Sequence, residues 1–329
     1  MSQPEPLLSP TLDPRKFQNP ARTADGQPRA DVAFGGLRML WFNTGTLCNV
    51  TCENCYIESS PRNDRLSYLT RDDLQQYLDE LERSDWQAEE IGFTGGEPFM
   101  NPDILDHLRS CLARGYRVLV LTNAMRPLLN CQSGLLALKA EFGAQLVLRI
   151  SIDHYTATLH DMERGAGSWT RMMAGFQWLA QNGFALNVAG RTCWRESDGE
   201  LRAGFAALFA QHGVVLDAQN PAHLVLFPEM DAASDVAEIT SGCWDILGVN
   251  PDNMMCASSR MVVRRKGAMR PAVVACTLLP YAPEFELGET LGEATEQPVS
   301  LNHPHCARFC VLGGGACSTA SGDAHTKEQ

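Results

Sequence analysis

No run of about 18 apolar residues occurs in this chain, which leaves no candidate for a membrane-spanning helix. The opening segment, MSQPEPLLSPTLDPRKFQNPARTADGQPRA, also lacks the apolar stretch of a secretory signal, so the expected address is the cytoplasm. Basic charge is scarce: 27 Lys and Arg stand against 39 Asp and Glu, for a formal net charge of −12. A nucleic-acid or anionic-membrane partner needs a basic face. The one basic knot, Arg264-Arg265-Lys266, reads as a solvated hairpin, so neither partner is expected.

Cysteine is what the chain has in quantity, with 12 in 329 residues. In a small secreted domain this would mean disulfides, but clustered thiols in a cytosolic chain of this length favour metal ligation. Cys48, Cys52 and Cys55 sit together in LCNVTCENCY, while Cys243, Cys256, Cys276, Cys306, Cys310 and Cys317 gather in the last quarter. Cys111, Cys131 and Cys193 stand singly in apolar or mixed segments and read as small buried hydrophobes.

Length and composition suit one large domain and a smaller one. Residues 1–35, rich in Pro, Gln and Asp, read as an irregular or partly disordered arm. From 36 to 228 apolar strands alternate with helices. LRMLWFN is followed by a helix that Thr70 would cap, with Leu74, Tyr77, Leu78 and Leu81 on one face. EIGFT precedes a helix opened by Asn101-Pro102; RVLVLTN, QLVLRISID and FALNVAGRT lead into further helical stretches, two of them near 168–182 and 199–212. A sixth strand fits VVLDA or HLVLF.

Near-continuous apolar strands joined by helices point to a parallel sheet with right-handed crossovers. Five or six units are too few for a closed eight-unit barrel. The expected class is therefore α/β, a partial (β/α)6 TIM-like barrel with a small cysteine-rich C-terminal domain; a doubly wound sheet is the alternative. Residues 229–329, with short strands in RMVVRR, PAVVACTLL and FELGETL, are too poor in helical period to extend the barrel and too rich in thiols for a linker.

Cys48, Cys52 and Cys55 directly follow the first strand, at the sheet edge where α/β folds place their sites. Three thiolates can ligate three irons of a [4Fe–4S] cluster and leave the fourth iron open, whereas a structural site wants four ligands. A zinc knuckle completed by a distant residue is the competing reading of the same spacing.

The C-x3-C-x2-C loop with Tyr56 beside its last cysteine resembles the cluster loop of the radical S-adenosylmethionine (SAM) enzymes. Thr94-Gly95-Gly96-Glu97-Pro98, closing the second strand, resembles that family's GGEP motif, which contacts the amino group of SAM. Two glycines permit close backbone approach, and a carboxylate there can accept from an amine. Thr122 and Asn123 end the third strand, and Ser151 and Asp153 the fourth, where the resemblance implies polar contacts to SAM. Arg164, in HDMERGAG, resembles the family's RG element and is suited to a carboxylate.

The rear cysteines offer a second pattern. Cys256 and Cys276 bracket a strand-turn-strand with Lys266-Gly267 at its turn, and CARFCVLGGGAC carries Cys306, Cys310 and Cys317. With Leu287-Gly288 between them, they resemble the SPASM or twitch auxiliary-cluster tail of radical SAM enzymes, though the interval from Gly267 to Cys276 is longer than usual and the end reads C-x3-C-x6-C. One auxiliary [4Fe–4S] cluster is expected from these five cysteines, with zinc as the alternative. Cys243 reads as core or substrate-facing, His303 and His305 as loop residues, and Glu229 and Met230 as either substrate-facing or a plain strand end.

The resemblance implies that a reduced cluster cleaves SAM to methionine and a 5′-deoxyadenosyl radical, which takes hydrogen from a substrate. It implies an electron donor such as flavodoxin or ferredoxin, and a peptide or protein substrate ahead of a small metabolite or cofactor precursor. A non-enzymatic Fe–S or zinc module remains the reading from another class.

Overall fold

The structure, a computed structural model, describes residues 10–86 and 88–314. Six strands, β1 (Met39–Asn43), β2 (Glu90–Thr94), β3 (Arg117–Thr122), β4 (Leu146–Ser151), β5 (Ala185–Arg191) and β6 (Leu224–Phe227), pair in chain order and all run parallel. The sixth strand is thus HLVLF, and VVLDA is loop. This is the partial barrel expected from the alternation, because sequential parallel pairing excludes the strand-order reversal of a doubly wound sheet.

The crossovers carry α1 (Arg71–Arg83), α2 (Ile104–Ala113), α3 (Gln132–Phe142), α4 (Ala157–Arg164), α5 (Ser168–Gln181) and α6 (Asp198–Gln211). Thr70 opens α1 with a capping box: its hydroxyl accepts from Asp73 N–H, and the Asp73 carboxylate accepts from Thr70 N–H. Leu74, Tyr77, Leu78 and Leu81 are buried on its inner face.

Every residue of β1 and β2 is buried, because each strand has a covered face on both sides. Leu40 and Phe42 pack under the helices, whereas Met39 and Trp41 join a second core built with the tail residues Met261, Val274 and Phe309. Gly92 has no side chain because the Trp41 ring lies there: a Cβ would fall 2.3 Å from it.

The tail departs from expectation. Preceded only by the short helices Cys243–Leu247 and Met255–Ser258, β7 (Ser259–Val263) still pairs parallel to the free edge of β1, and β8 (Ala272–Val274) and β9 (Glu286–Gly288) follow antiparallel. The sheet therefore reaches nine strands, extended at its front edge by a hairpin instead of a βα unit. The basic knot at the hairpin tip is neutralised by Arg264–Asp73, Arg265–Glu286 and Lys266–Asp64 pairs.

The described part of the arm, residues 10–35, is ordered, contrary to its composition. Asp31–Val32 pairs with Val299–Ser300, and Glu238 accepts from Phe17 N–H, Ala24 N–H and the buried Arg29 guanidinium. No helix among the described residues is long and apolar enough to cross a membrane.

Candidate functional site

The carboxyl ends of the barrel strands meet around one cavity, and the residues singled out in the sequence converge there. Its wall takes Cys48, Cys52, Cys55 and Tyr56 from the loop after β1, Gly95 and Gly96 after β2, Thr122 and Asn123 from β3, Ser151 and Asp153 from β4, and Arg164 from α4.

The cysteine loop is held by its neighbours. Cys48 N–H donates to the Ser60 carbonyl at 3.1 Å and Glu53 N–H to the Glu163 carbonyl at 2.8 Å, while the Asn54 amide donates to both Glu163 oxygens. Ser59 N–H points at Cys55 Sγ at 3.3 Å, and Asn123 Nδ2 lies 3.8 Å from Cys48 Sγ. Burial pushes the Cys48 thiol up to about 12, with Glu97 adding to the effect. Burial also raises Cys52, against the lowering influence of Arg164.

The glycine pair locks two motifs together. Gly96 N–H donates to the Gly45 carbonyl at 2.8 Å and Glu97 N–H to Leu47 at 3.1 Å. A Cβ on Gly96 would sit 2.1 Å from the Leu47 oxygen, and Gly95 adopts φ +136° with the Gly45 oxygen 2.5 Å from any Cβ. The close approach that these glycines permit is therefore an approach of the cysteine loop itself.

Glu97 stands behind the wall instead of lining it. Its carboxylate accepts from the Thr122 hydroxyl at 2.8 Å, Phe99 N–H at 3.2 Å and Asn123 N–H at 2.8 Å. Burial pushes it up to about 7 despite those three bonds. Asp153 and Arg164, each anticipated as a separate polar contact, pair with each other at 2.6 and 3.0 Å in a bidentate fork. Burial opposes ionisation of Asp153, yet the guanidinium holds it below the usual carboxylate range.

The cavity also contains residues that the motifs did not single out. Arg191 closes β5 and donates to the Asn54 carbonyl at 3.2 Å, to Glu163 at 3.4 Å and to Glu229 at 2.9 Å. A charged residue at the carboxyl end of a barrel strand was the available signal. Cys193 is a correction: it is half-buried next to Glu163, not a core hydrophobe. Among the described residues, Glu163, Cys193 and Glu229 are the one trio of metal-ligating types with donor atoms within 4.8 Å of one another. Phe227 and Met230 give the cavity its apolar side.

A second cavity gathers Cys256, Cys276, Cys306 and Cys310 among Met255, Leu278, Leu279, Phe285, Val299 and Leu301. Cys317 lies outside the described residues. Cys256 precedes β7 and Cys276 follows β8, so the hairpin brings them to the same end, while the wide helical turn Cys306–Val311 supplies the other two. Burial, reinforced by Cys276 and Cys256, raises the Cys306 thiol well above its ordinary value. His305, expected as a plain loop residue, lines this cavity, and its Nδ1 is buried without a partner. Cys243 lies apart, accepting from Thr240 N–H at 3.4 Å. Phe227 of the first cavity stacks on Phe309, between Cys306 and Cys310, with ring centroids 4.9 Å apart.

Residues 42–202 match the profile of the radical SAM superfamily. Over 175 residues the chain is 31% identical to the mycofactocin maturase MftC of Mycobacterium ulcerans, a stretch covering 51% of this chain and 43% of that protein. Over 143 residues it is 30% identical to the antilisterial bacteriocin subtilosin biosynthesis protein AlbA of Bacillus subtilis, covering 43% of this chain and 30% of that protein. The chain thus spans less than half the length of these curated relatives. In fold it is similar to Streptococcus suis SuiB bound to S-adenosylmethionine, with a TM-score of 0.56 at 12% identity over 85% of this chain and 67% of that one. The superfamily works with a [4Fe–4S] cluster and SAM, and the cavity of three thiols with its Gly95-Gly96 wall lies inside the matched segment. The match to the radical SAM superfamily covers residues 42–202, just under half of the chain.

Proposed function

We propose that this protein is a peptide-modifying radical SAM enzyme with one auxiliary cluster, the barrel of residues 36–228 carrying the SAM site and residues 229–329 the auxiliary one. The observation that carries the reading is the convergence of the three-cysteine loop, three strand-end motifs and Arg164 of α4 on a single cavity. When bound, the [4Fe–4S] cluster supplies the electron that cleaves SAM to methionine and a 5′-deoxyadenosyl radical, which takes hydrogen from the substrate.

Cys48, Cys52 and Cys55 are the proposed ligands, with Ser59 N–H and the Asn123 amide directed at two of the sulfurs. The site fits an iron cluster: the buried Cys48 and Cys52 thiols stay protonated unless a cation or metal offsets their charge, and among the described residues no fourth cysteine lines the cavity. The proposed SAM contacts are Tyr56, Gly95, Gly96, Thr122, Asn123, Ser151 and the Asp153–Arg164 pair. Glu97 serves them by fixing the end of β3. Arg191 at the β5 end, with Glu163 of α4 and Glu229 after β6, would orient polar groups of the substrate, and Phe227 with Met230 would exclude water from the radical.

Cys256, Cys276, Cys306 and Cys310 are the proposed auxiliary ligands. Their sulfurs do not form a group within 4.8 Å, a spacing that favours a multi-iron cluster over a single zinc ion. A peptide substrate is supported by the maturase and bacteriocin-biosynthesis relatives; an electron donor of the flavodoxin or ferredoxin type would be needed.

The test is on anaerobically reconstituted protein. About eight irons per chain, with 5′-deoxyadenosine formed from SAM under dithionite, is the expected result. Zinc in their place, or iron without cleavage, would overturn the reading in favour of a binding module.

A further inference from the structure

Arg260 of β7 is fully buried and has no carboxylate partner among the described residues. Its Nη1 donates to the Cys256 carbonyl at 2.6 Å and the Ser259 carbonyl at 2.7 Å, and its Nε to the Ala294 carbonyl at 2.8 Å. Nη2 is buried with no hydrogen-bond partner, and the Phe34 ring covers the guanidinium at 4.6 Å. Among the described residues, the groups of opposite charge tendency that act on it are the thiols of Cys256 and Cys276.

An arginine without a counter-charge in the interior is costly, and proteins keep such a charge where something neutralises it. Carbonyl dipoles satisfy donors but do not cancel a full charge. The other buried guanidinium beside a thiol cluster, Arg164, is matched by Asp153. A guanidinium is not deprotonated in proteins, so Arg260 is a permanent cation. Two of the four sulfurs of the rear cavity are therefore near a permanent cation in a buried setting, where electrostatic terms are strong.

We infer that Arg260 is the buried counter-ion of the rear four-thiolate cluster, stabilising its more negative, reduced form. The inference rests on the assignment of Cys256, Cys276, Cys306 and Cys310 as the ligands of that cluster. A cluster with four thiolates carries net negative charge, and one added electron increases it, so a fixed cation beside two ligands raises the reduction potential. Arg260 touches neither SAM nor the reacting atoms of the front cavity. It acts through the cluster, as a tuning and positioning residue.

The experiment is a redox titration of the loaded, full-length protein followed by electron paramagnetic resonance, with SAM added so that the front-cluster signal moves and the rear signal is identified by staying unchanged. Arg260→Gln removes the charge and keeps a donor; Arg260→Lys keeps the charge; Arg260→Met is the second neutral variant should the glutamine protein fail to load iron. At the solution potential that half-reduces the rear cluster of the unaltered protein, the neutral variants should show a reduced-to-oxidised ratio at least about tenfold lower, equivalent to about 59 mV for one electron. Arg260→Lys should retain most of the reduced signal, and the front signal should not change in any variant. Full iron loading with an unchanged rear midpoint in a neutral variant would overturn the inference and leave the cluster standing. Absence of a rear signal in the unaltered protein, or its persistence in Cys306→Ala, would overturn the ligand assignment and the inference with it.

Discussion

The front and rear cavities are built from the same thiol chemistry for opposite ends. In front, three cysteines share a wall with polar strand ends, and the nearby guanidinium of Arg164 is already paired with Asp153. At the rear, four cysteines sit among apolar side chains and His305, and the nearby guanidinium of Arg260 has no carboxylate among the described residues. Three thiols among hydrogen-bonding groups suit a site that exchanges what it binds, whereas four thiols in a mostly apolar lining suit one that retains it. They also differ in position: the front loop leaves the carboxyl end of β1, whereas Cys256 and Cys276 flank β7 and β8 level with its amino end.

The largest expected effect breaks the comparison at its ligands. Replacing Cys48, Cys52 or Cys55 with Ala should reduce SAM cleavage to background, because losing one ligand of three leaves an unstable cluster. Cys256→Ala or Cys310→Ala should instead lower iron from about eight to about four per chain while SAM cleavage persists. Iron analysis beside 5′-deoxyadenosine chromatography checks both, and equal behaviour of the two sets would erase the distinction between the cavities.

Next comes the front ion pair. Asp153→Asn leaves the buried Arg164 without its carboxylate, and breaking such a pair costs about 3–5 kcal/mol. Urea unfolding of the metal-free protein should register that loss, and SAM cleavage should fall with it. A smaller steric effect is expected at Gly96: in Gly96→Ala the new methyl would meet the Leu47 oxygen at 2.1 Å. A destabilisation of about 2–3 kcal/mol is expected, while Gly199→Ala, with nothing near its Cβ, should stay within about 0.5 kcal/mol.

The features legible in the sequence are those whose causes are local. Most strands and helices through Phe227 follow from apolar period and caps such as Thr70, although the pattern does not anticipate the helix Ala157–Arg164 and leaves two stretches open for the sixth strand; the front cavity follows because its motif residues, Arg164 apart, lie at or just after strand ends. What was not legible depends on partners distant in the chain. The described part of the arm is ordered because Glu238 collects Phe17, Ala24 and Arg29, more than 200 residues away, so its own composition carries no trace of the anchor. The pairing of β7 with β1 is likewise a long-range match of two short apolar runs. Glu97 illustrates the limit within a motif: the sequence marks it as a site carboxylate, but only the fold aims it at Thr122 and Asn123 instead of into the cavity.

That orientation yields the smallest expected effect, visible as a pH dependence. In the folded chain Glu97 titrates at about 7, above its ordinary 4.5, because burial outweighs its three donors. Between those values the native state holds more protons than the unfolded state, so its contribution to stability is present at the acid end of the window and declines as pH rises through it. Glu97→Gln removes the titration while keeping one acceptor for the Thr122 hydroxyl. Urea midpoints of both metal-free proteins, measured at about pH 5 and about pH 8, should therefore show the stability advantage of the glutamate over the glutamine shrinking as pH rises. If the advantage grew, the three hydrogen bonds would outweigh burial and Glu97 would brace β3 as a permanent anion. The front cavity would then carry one more fixed negative charge behind its thiols than the rear does, sharpening the electrostatic contrast between them.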